Sequence, residues 1–400
     1  MKHPRKHGRH RLKQWCKCRD SNPGPLPYQG SALPTEPHLH GCGIIKVWTH
    51  QVNMQRKIQV TEIAELLSQP DGYDSIIDVR SPSEFHEDHI PGAINLPVLN
   101  DQERIEVGTI YKQVDPFTAR KRGAVLTSQN IAQHIFTLSD HGKDWKPLIY
   151  CWRGGQRSGS LALVMHEIGW GVTLLQGGYK TYRRHVQQEL DRLLPRLRLI
   201  VVAGPTGCGK TDLLHQLRSQ GRQVLDLESL ANHRGSLLGR EPGTCQPSQK
   251  WFESSLHHEL CQLDLEKPIY VESESSKIGE IHLPTALFKN LITSSAVVLS
   301  CDRSQRAQYL VRRYQHLTQS IEDTTQLVER LAFRHGKQQI TEWVSCIKTH
   351  NWLALANSLL EHHYDPAYER SQTRLRVTER CELTCPGELA DHSVFERLDT

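Results

Sequence analysis

The segment Gly204-Pro205-Thr206-Gly207-Cys208-Gly209-Lys210-Thr211 constrains this chain more than any other. It fits GxxxxGK[ST], follows the apolar run Leu199-Ile200-Val201-Val202 and opens a helical stretch. That spacing demands a strand, a tight loop and a helix in immediate succession, and so an α/β unit. Gly204, Gly207 and Gly209 let backbone N–H groups wrap phosphate oxygens, Lys210 neutralises them, and the Thr211 hydroxyl reaches Mg2+. The motif implies a di- or triphosphate ligand without saying which molecule carries it. Cys208 fills a loop position and is not expected to be a second nucleophile. Asp226, Glu272 and Glu274 close apolar runs and suit a Mg2+ site together with Thr211. The same acids suit a helix cap or a salt bridge equally well.

The 400 residues around this motif allow two domains with tails. Residues 1–53 are expected to form a disordered basic extension. The first twenty residues hold eight Lys or Arg and one acid, and Pro, Gly and His dominate up to Cys42. The alternatives are an RNA-binding arm, or upstream sequence translated from a wrongly chosen start, with Met54 then the expected true start. Residues 54–190 alternate apolar runs with helical stretches, which predicts a parallel sheet. Thr61 is expected to cap the first helix, and the helix over 159–169 to turn Leu161, Leu163, Val164 and Ile168 inward. Residues 196–368 repeat the α/β pattern and become helical from about 304. Residues 369–400 are polar without a clear period and are expected to be a disordered tail. No apolar run approaches the ~18 residues of a membrane span, and no secretory signal follows the basic start. The 11 cysteines lack zinc spacing, which points to a reducing, cytoplasmic setting. The net charge of +5 suits a polyanionic partner.

The second chemical signal is Tyr150-Cys151-Trp152-Arg153-Gly154-Gly155-Gln156-Arg157-Ser158. A cysteine ends an apolar strand, two glycines curl the chain, and a helix begins just after. Backbone N–H groups and a helix N-terminus are then aimed at the sulfur, which favours the thiolate. Arg153 and Arg157 add charge for an oxyanion. Such a site holds an anionic donor and accepts a chalcogen atom on Cys151.

The loop from Cys151 to Arg157 resembles that of the rhodanese superfamily, as do Asp78-Val79-Arg80-Ser81-Pro82-Ser83-Glu84-Phe85 and His89-Ile90-Pro91-Gly92-Ala93. In that resemblance Asp78 and Arg80 tie loops together, and His89 serves a loop hydrogen bond more readily than a base. The loop is one residue shorter than in related phosphatases, which favours sulfur or selenium handling. The combined chain is similar to the bacterial tRNA 2-selenouridine synthase family. The similarity rests on the cysteine loop, Val107–Gln113, Asp226-Leu227-Glu228, Ala231–Ser236 and Val271–Gly279, within roughly residues 57–370. It implies a rhodanese-like parallel-sheet domain followed by a P-loop NTPase-like α/β domain with a helical C-terminal region.

The resemblance also implies an activity. Wobble 2-thiouridine in the tRNA anticodon is alkylated from geranyl diphosphate. Selenium from selenophosphate then replaces the S-geranyl group, with Cys151 as an S-selanyl intermediate. Arg153 and Arg157 would hold the selenophosphate, the P-loop the diphosphate with Mg2+, and Asn232, His233 and Arg234 would line the substrate pocket. A selenophosphate-supplying enzyme is an expected partner. Arg303, Arg306, Arg312 and Arg313, interleaved with Tyr309 and Tyr314, suit RNA phosphates and unstacked bases, or equally a solvated helix face. Arg120, Lys121, Arg122, Arg183 and Arg184 are further RNA candidates. A rhodanese-type sulfurtransferase acting on tRNA or small thiols is the main alternative. It leaves the phosphate loop without a task, as an inert regulatory protein leaves the cysteine loop. A small-molecule kinase would use the phosphate loop alone.

Overall fold

Strands that are apolar along their whole length can be buried on both faces only in a sheet covered on both sides. Both sheets of the computed structural model are built around such strands. The structure describes residues 57–234, 244–373 and 375–389, and Phe395. The basic extension expected over 1–53, Met54 included, lies outside the described residues.

The first lobe runs β1 (Gln59–Thr61), α1 (Ile63–Ser68), β2 (Ser75–Asp78), α2 (Pro82–Glu87) and β3 (Ile94–Asn95). A helical hairpin follows, α3 (Asp101–Gln113) and α4 (Pro116–Thr137), then β4 (Pro147–Tyr150), α5 (Gln156–Ile168), β5 (Thr173–Leu175) and α6 (Gly178–Leu193). The order is β1-β5-β4-β2-β3, and every pairing is parallel. Asn100 and Glu103 form a capping box at the start of α3, and Asp115 with Pro116 starts α4.

The second lobe opens with β6 (Leu199–Ala203), α7 (Lys210–Ser219), β7 (Gln223–Leu225), α8 (Leu227–Ala231) and α9 (Gln249–Leu260). It continues with β8 (Ile269–Glu272), the small hairpin β9 (Lys277–Ile278) and β10 (Ile281–His282), α10 (Thr285–Thr293) and β11 (Ser295–Ser300). Helices α11 (Arg303–Arg313), α12 (Ile321–Glu329), α13 (Lys337–Lys348), α14 (Trp352–Leu359) and α15 (Asp365–Gln372) form the helical region, with a π-helical turn Leu360–Tyr364 between the last two. Strands β12 (Arg376–Cys385) and β13 (Glu388–Leu389) complete a sheet of order β13-β12-β11-β6-β8-β7.

Three expectations change. Glu62, not Thr61, is the N-cap of α1, because the Thr61 hydroxyl donates to the Glu65 carboxylate at 2.8 Å. On α5, Leu161, Ala162 and Met165 face the core, while Leu163, Val164 and Ile168 are exposed. Leu163 and Val164 line an open groove toward α3 and α4, so the helix has apolar residues on both sides. The tail expected to be disordered instead supplies β12, which pairs parallel with β11. Cys381 and Leu383 turn inward on either side of the exposed Glu382, after the exposed Arg380, the period of two that a strand requires.

The lobes share one compact unit beginning at Lys57. Tyr182, Val186 and Leu190 of α6 belong to the same apolar cluster as Phe252, Leu256 and Leu260 of α9. At its edge Arg183 pairs with Glu253, Lys250 meets Glu87 at 2.7 Å, and His89 stacks between Phe85 and Trp251. A joint with a continuous core resists the domain motion that a thin, polar one permits.

Candidate active site

Strand β4 delivers Cys151 to the carboxyl end of the first sheet, where the chain turns into α5. The residue is 3% exposed and rests on Ile77, Val79 and Leu161. Its sulfur nonetheless meets donors, since the Gly155 N–H and the Ser158 hydroxyl each donate to Sγ at 3.2 Å. Burial pushes the thiol up, but Ser158 and the N–H groups of Gly155 and Arg153 outweigh it and hold the thiol below its ordinary value. The start of α6 clamps the loop from beneath: Tyr179 N–H donates to the Cys151 carbonyl at 2.8 Å and Lys180 N–H to that of Trp152 at 3.0 Å. Gly178, at φ 60°, permits this approach, since a Cβ there would strike the Cys151 carbonyl oxygen and the Gly154 nitrogen.

The depressed thiol gives a direct expectation. Peptide-mapped iodoacetamide alkylation of Cys151 should reach half-maximal rate at a pH below that of a free thiol, and Ser158→Ala should move that midpoint upward. A midpoint that ignores Ser158 would remove the hydroxyl from the site.

The two loop arginines differ. Arg153 is exposed, and its side chain forms no ion pair among the described residues. Arg157 is engaged by Glu84, with contacts of 2.7 Å and 3.4 Å. Glu84 also accepts from Ser81 N–H at 3.2 Å and pairs with Arg104 at 2.9 Å. Its carboxyl is pushed up by burial but held below its usual range overall by Arg157, Ser81 and Arg104. Asp78 and Arg80 form the buried pair expected of them, with Arg80 reaching the Asp88 carbonyl at 2.6 Å. His89 Nδ1 bonds the Phe85 carbonyl at 2.8 Å, a loop contact. From Gln156 and Arg157 a groove of about 1920 Å3 runs between α3, α4 and α5, with Arg104 and Arg120 on its walls.

In the second lobe, β6 feeds the phosphate loop and α7 begins at Lys210. The Lys210 ammonium donates to the Gly204 carbonyl at 3.0 Å and lies 3.4 Å from Glu272. Burial opposes its charge, but Glu272, Glu228 and Glu274 outweigh burial and keep it raised. The Thr211 hydroxyl donates toward Glu272 at 3.0 Å and Glu228 at 3.3 Å. Carboxylate oxygens of Glu228, Glu272 and Glu274 lie within 4.8 Å of one another. Burial, then repulsion by Glu272, raises the carboxyls of Glu228 and Glu274. Beside a threonine of a phosphate loop, this all-oxygen set fits a hard divalent cation. Cys208 is wholly buried and its thiol is pushed up to about 11, mainly by burial, so it is not poised as a nucleophile.

Asp226 does not join these acids. It is the N-cap of α8, accepting from Ser229 N–H at 2.9 Å, and it faces His215 at 3.4 Å. Glu228, one turn into the helix, takes the place expected of Asp226. Its position in the first turn of α8, past the end of β7, gives no strand-end signal in the sequence. Asn232 closes α8 at φ 48° and bonds Thr244 and Cys245, so it shapes a turn. His233 is buried. Arg234 donates to the Arg313 carbonyl at 3.1 Å and lies 5.0 Å over the Tyr314 ring, which brings two of the expected substrate residues together. Arg312 is exposed, while Arg313 lies 3.9 Å from Asp212.

Two other arginines leave the expected RNA surface. Arg306 is 5% exposed, donates to the Thr206 carbonyl at 3.0 Å and pairs with Asp365 through two contacts of 2.9 Å. It braces the phosphate loop and does not face solvent. Arg183 is held in the joint by Glu253 and the Lys250 carbonyl. A further brace went unforeseen: Gly387, between β12 and β13, donates its N–H to the Cys208 carbonyl at 2.9 Å. A Cβ at Gly209, whose φ is 76°, would collide with Gly387.

Against this geometry, residues 197–349 match the family model described as the tRNA 2-selenouridine synthase AAA domain, and residues 60–185 the rhodanese-like domain. The tRNA 2-selenouridine synthase of Nitrosomonas europaea is 40% identical over 227 residues, 56% of this chain and 58% of that protein, so the alignment spans less than two thirds of that relative. The one from Alcanivorax borkumensis is 32% identical over 350 residues, 80% of this chain and 94% of that protein. The one from Sulfurovum sp. is 33% identical over 336 residues, 75% of this chain and 90% of that protein. With both kinds of site on one compact unit and relatives above 30% identity covered over nine tenths of their length, the chain belongs to the tRNA 2-selenouridine synthase family.

Proposed function

We propose that this protein converts wobble 2-thiouridine of tRNA to 2-selenouridine in two steps divided between its lobes. The observation that carries this reading is the donor-held Cys151 sulfur, joined through a continuous core to a phosphate loop with its own acidic cluster. In the first step the thiocarbonyl sulfur bonds to C1 of geranyl diphosphate. The C1–O bond breaks, its electron pair leaves on diphosphate, and the ring N3–H proton is lost. Gly204, Gly207, Gly209, Lys210 and Thr211 hold that diphosphate. Thr211, Glu228, Glu272 and Glu274 would hold Mg2+, which supplies charge neutralisation for the leaving group.

In the second step the Cys151 thiolate attacks selenium of selenophosphate, the P–Se bond breaks with its electron pair leaving on phosphorus as phosphite, and an S-selanyl cysteine remains. Arg153, free of ion pairs among the described residues, is the first contact for the donor's oxyanion, and Arg157 follows if Glu84 releases it. The selanyl group attacks C2, geranylthiol leaves, and a thiol supplies the two electrons that free C2=Se from the S–Se bond. Alkylation precedes exchange because a thioether sulfur leaves as a thiol, whereas a thiocarbonyl sulfur leaves poorly. The groove walled by Arg104 and Arg120 offers cationic surface for the anticodon arm, and Arg312 with Arg234 offers more.

The test supplies 2-thiouridine tRNA, geranyl diphosphate and selenophosphate, followed by nucleoside mass spectrometry. S-geranyl-2-thiouridine is expected first and 2-selenouridine only when selenophosphate is present. 2-Selenouridine formed at full rate without a prenyl donor would overturn the order of steps.

A further inference from the structure

A phosphate loop fixes only the charged end of its ligand. What lies beside the loop decides what the rest of that ligand is. Here the neighbour is a cavity of about 80 Å3 whose wall includes Thr206 of the loop itself, with Leu310 and Val311 of α11 and Leu355, Ala356 and Leu359 of α14. Its lining is almost wholly carbon. The hydroxyl of Thr324, another wall residue, donates to the Leu317 carbonyl at 2.5 Å. A nucleoside would need several hydrogen-bond partners for its base and ribose, and a wall of this composition leaves them unmet. A hydrocarbon chain needs none.

The cavity is fixed to the loop mechanically. Arg306 on α11 holds the Thr206 carbonyl and pairs with Asp365, which follows the π-helical turn leading out of α14. A Cβ added at Gly207 would lie 3.1 Å from Leu310 Cγ, so loop backbone and cavity wall are in direct packing. Such π-helical turns often occur at functional sites. The volume suits the same occupant. About 80 Å3 is several times the roughly 10–15 Å3 that one water-sized group needs, which is room for a short hydrocarbon segment.

We infer that this cavity receives the hydrocarbon tail of the prenyl diphosphate, and that Ala356 and Val311 set the chain length accepted. The inference rests on the proposed use of a prenyl diphosphate and adds where the tail goes and what limits it. The test is a competition among equal concentrations of dimethylallyl, geranyl and farnesyl diphosphate on 2-thiouridine tRNA, read as S-prenyl nucleosides by mass spectrometry. The unaltered protein should favour geranyl. Ala356→Phe should shift the geranyl-to-dimethylallyl ratio about tenfold or more toward the shorter donor, and Val311→Ala should raise the farnesyl share. Thermal melting checks that each variant folds, and should Ala356→Phe not fold, Val311→Ala alone decides. Folded variants with unaltered ratios overturn the cavity's role. An unaltered protein that transfers none of the three chains overturns prenyl diphosphate use itself.

Discussion

Cys151→Ala is expected to abolish 2-selenouridine formation, by on the order of 10^3-fold or more, while S-geranyl-2-thiouridine accumulates. The substitution removes one sulfur from a residue already 3% exposed, so the surrounding packing changes little. The N–H groups of Gly155 and Arg153 remain to bind an anion, but nothing is left to carry selenium. Cys151→Ser should fare no better, because a hydroxyl in the same donor ring is far from ionised at neutral pH. Time courses of both nucleosides from one reaction give the answer. Loss of the geranylated product in Cys151→Ala would mean that the cysteine loop takes part in alkylation.

Lys210→Ala is expected to slow geranylation by about 10^2-fold or more and to spare selenation of tRNA that already carries the geranyl group. The ammonium offsets Glu228, Glu272 and Glu274 and holds the loop through the Gly204 carbonyl. Without it, the acidic cluster faces an incoming diphosphate with no fixed cation between them. Titration calorimetry with inorganic diphosphate and Mg2+ separates the binding loss from the rate loss. Equal loss of both steps in Lys210→Ala and in Cys151→Ala would dissolve the division of labour between the lobes.

Both chemical loops were legible in the sequence because each is local. Eight consecutive residues dictate the phosphate loop, and seven place Cys151 between a strand and a helix. What was not legible depends on distant partners. Nothing near Arg306 says that its guanidinium will be buried against Thr206 and Asp365, so its neighbours Arg303, Arg312 and Arg313 made it look like one more surface cation. Asp226 and Glu228 differ only in how α8 rotates them, which no strand-end rule captures. Leu163 and Val164 carry the apolar period of a core face, yet they border an open groove. The last strand was missed because its inward positions are few and two of them are a cysteine and a glutamate, whose pairing with β11 is fixed only by the finished sheet.

That last strand also bears on how the protein is made. Gln216 of α7 donates to the Gly387 carbonyl across 171 residues, so the segment that begins at Gly204 early in the second lobe meets its brace only once residues 376–389 have been translated. At roughly 5–20 residues per second, the growing chain spends about four to seventeen seconds with β11 as an unprotected sheet edge. The first lobe has no such delay and can fold on the ribosome. The nascent protein should therefore have a working cysteine loop before it has a phosphate site, and its window for misassociation should lie in the second half of synthesis.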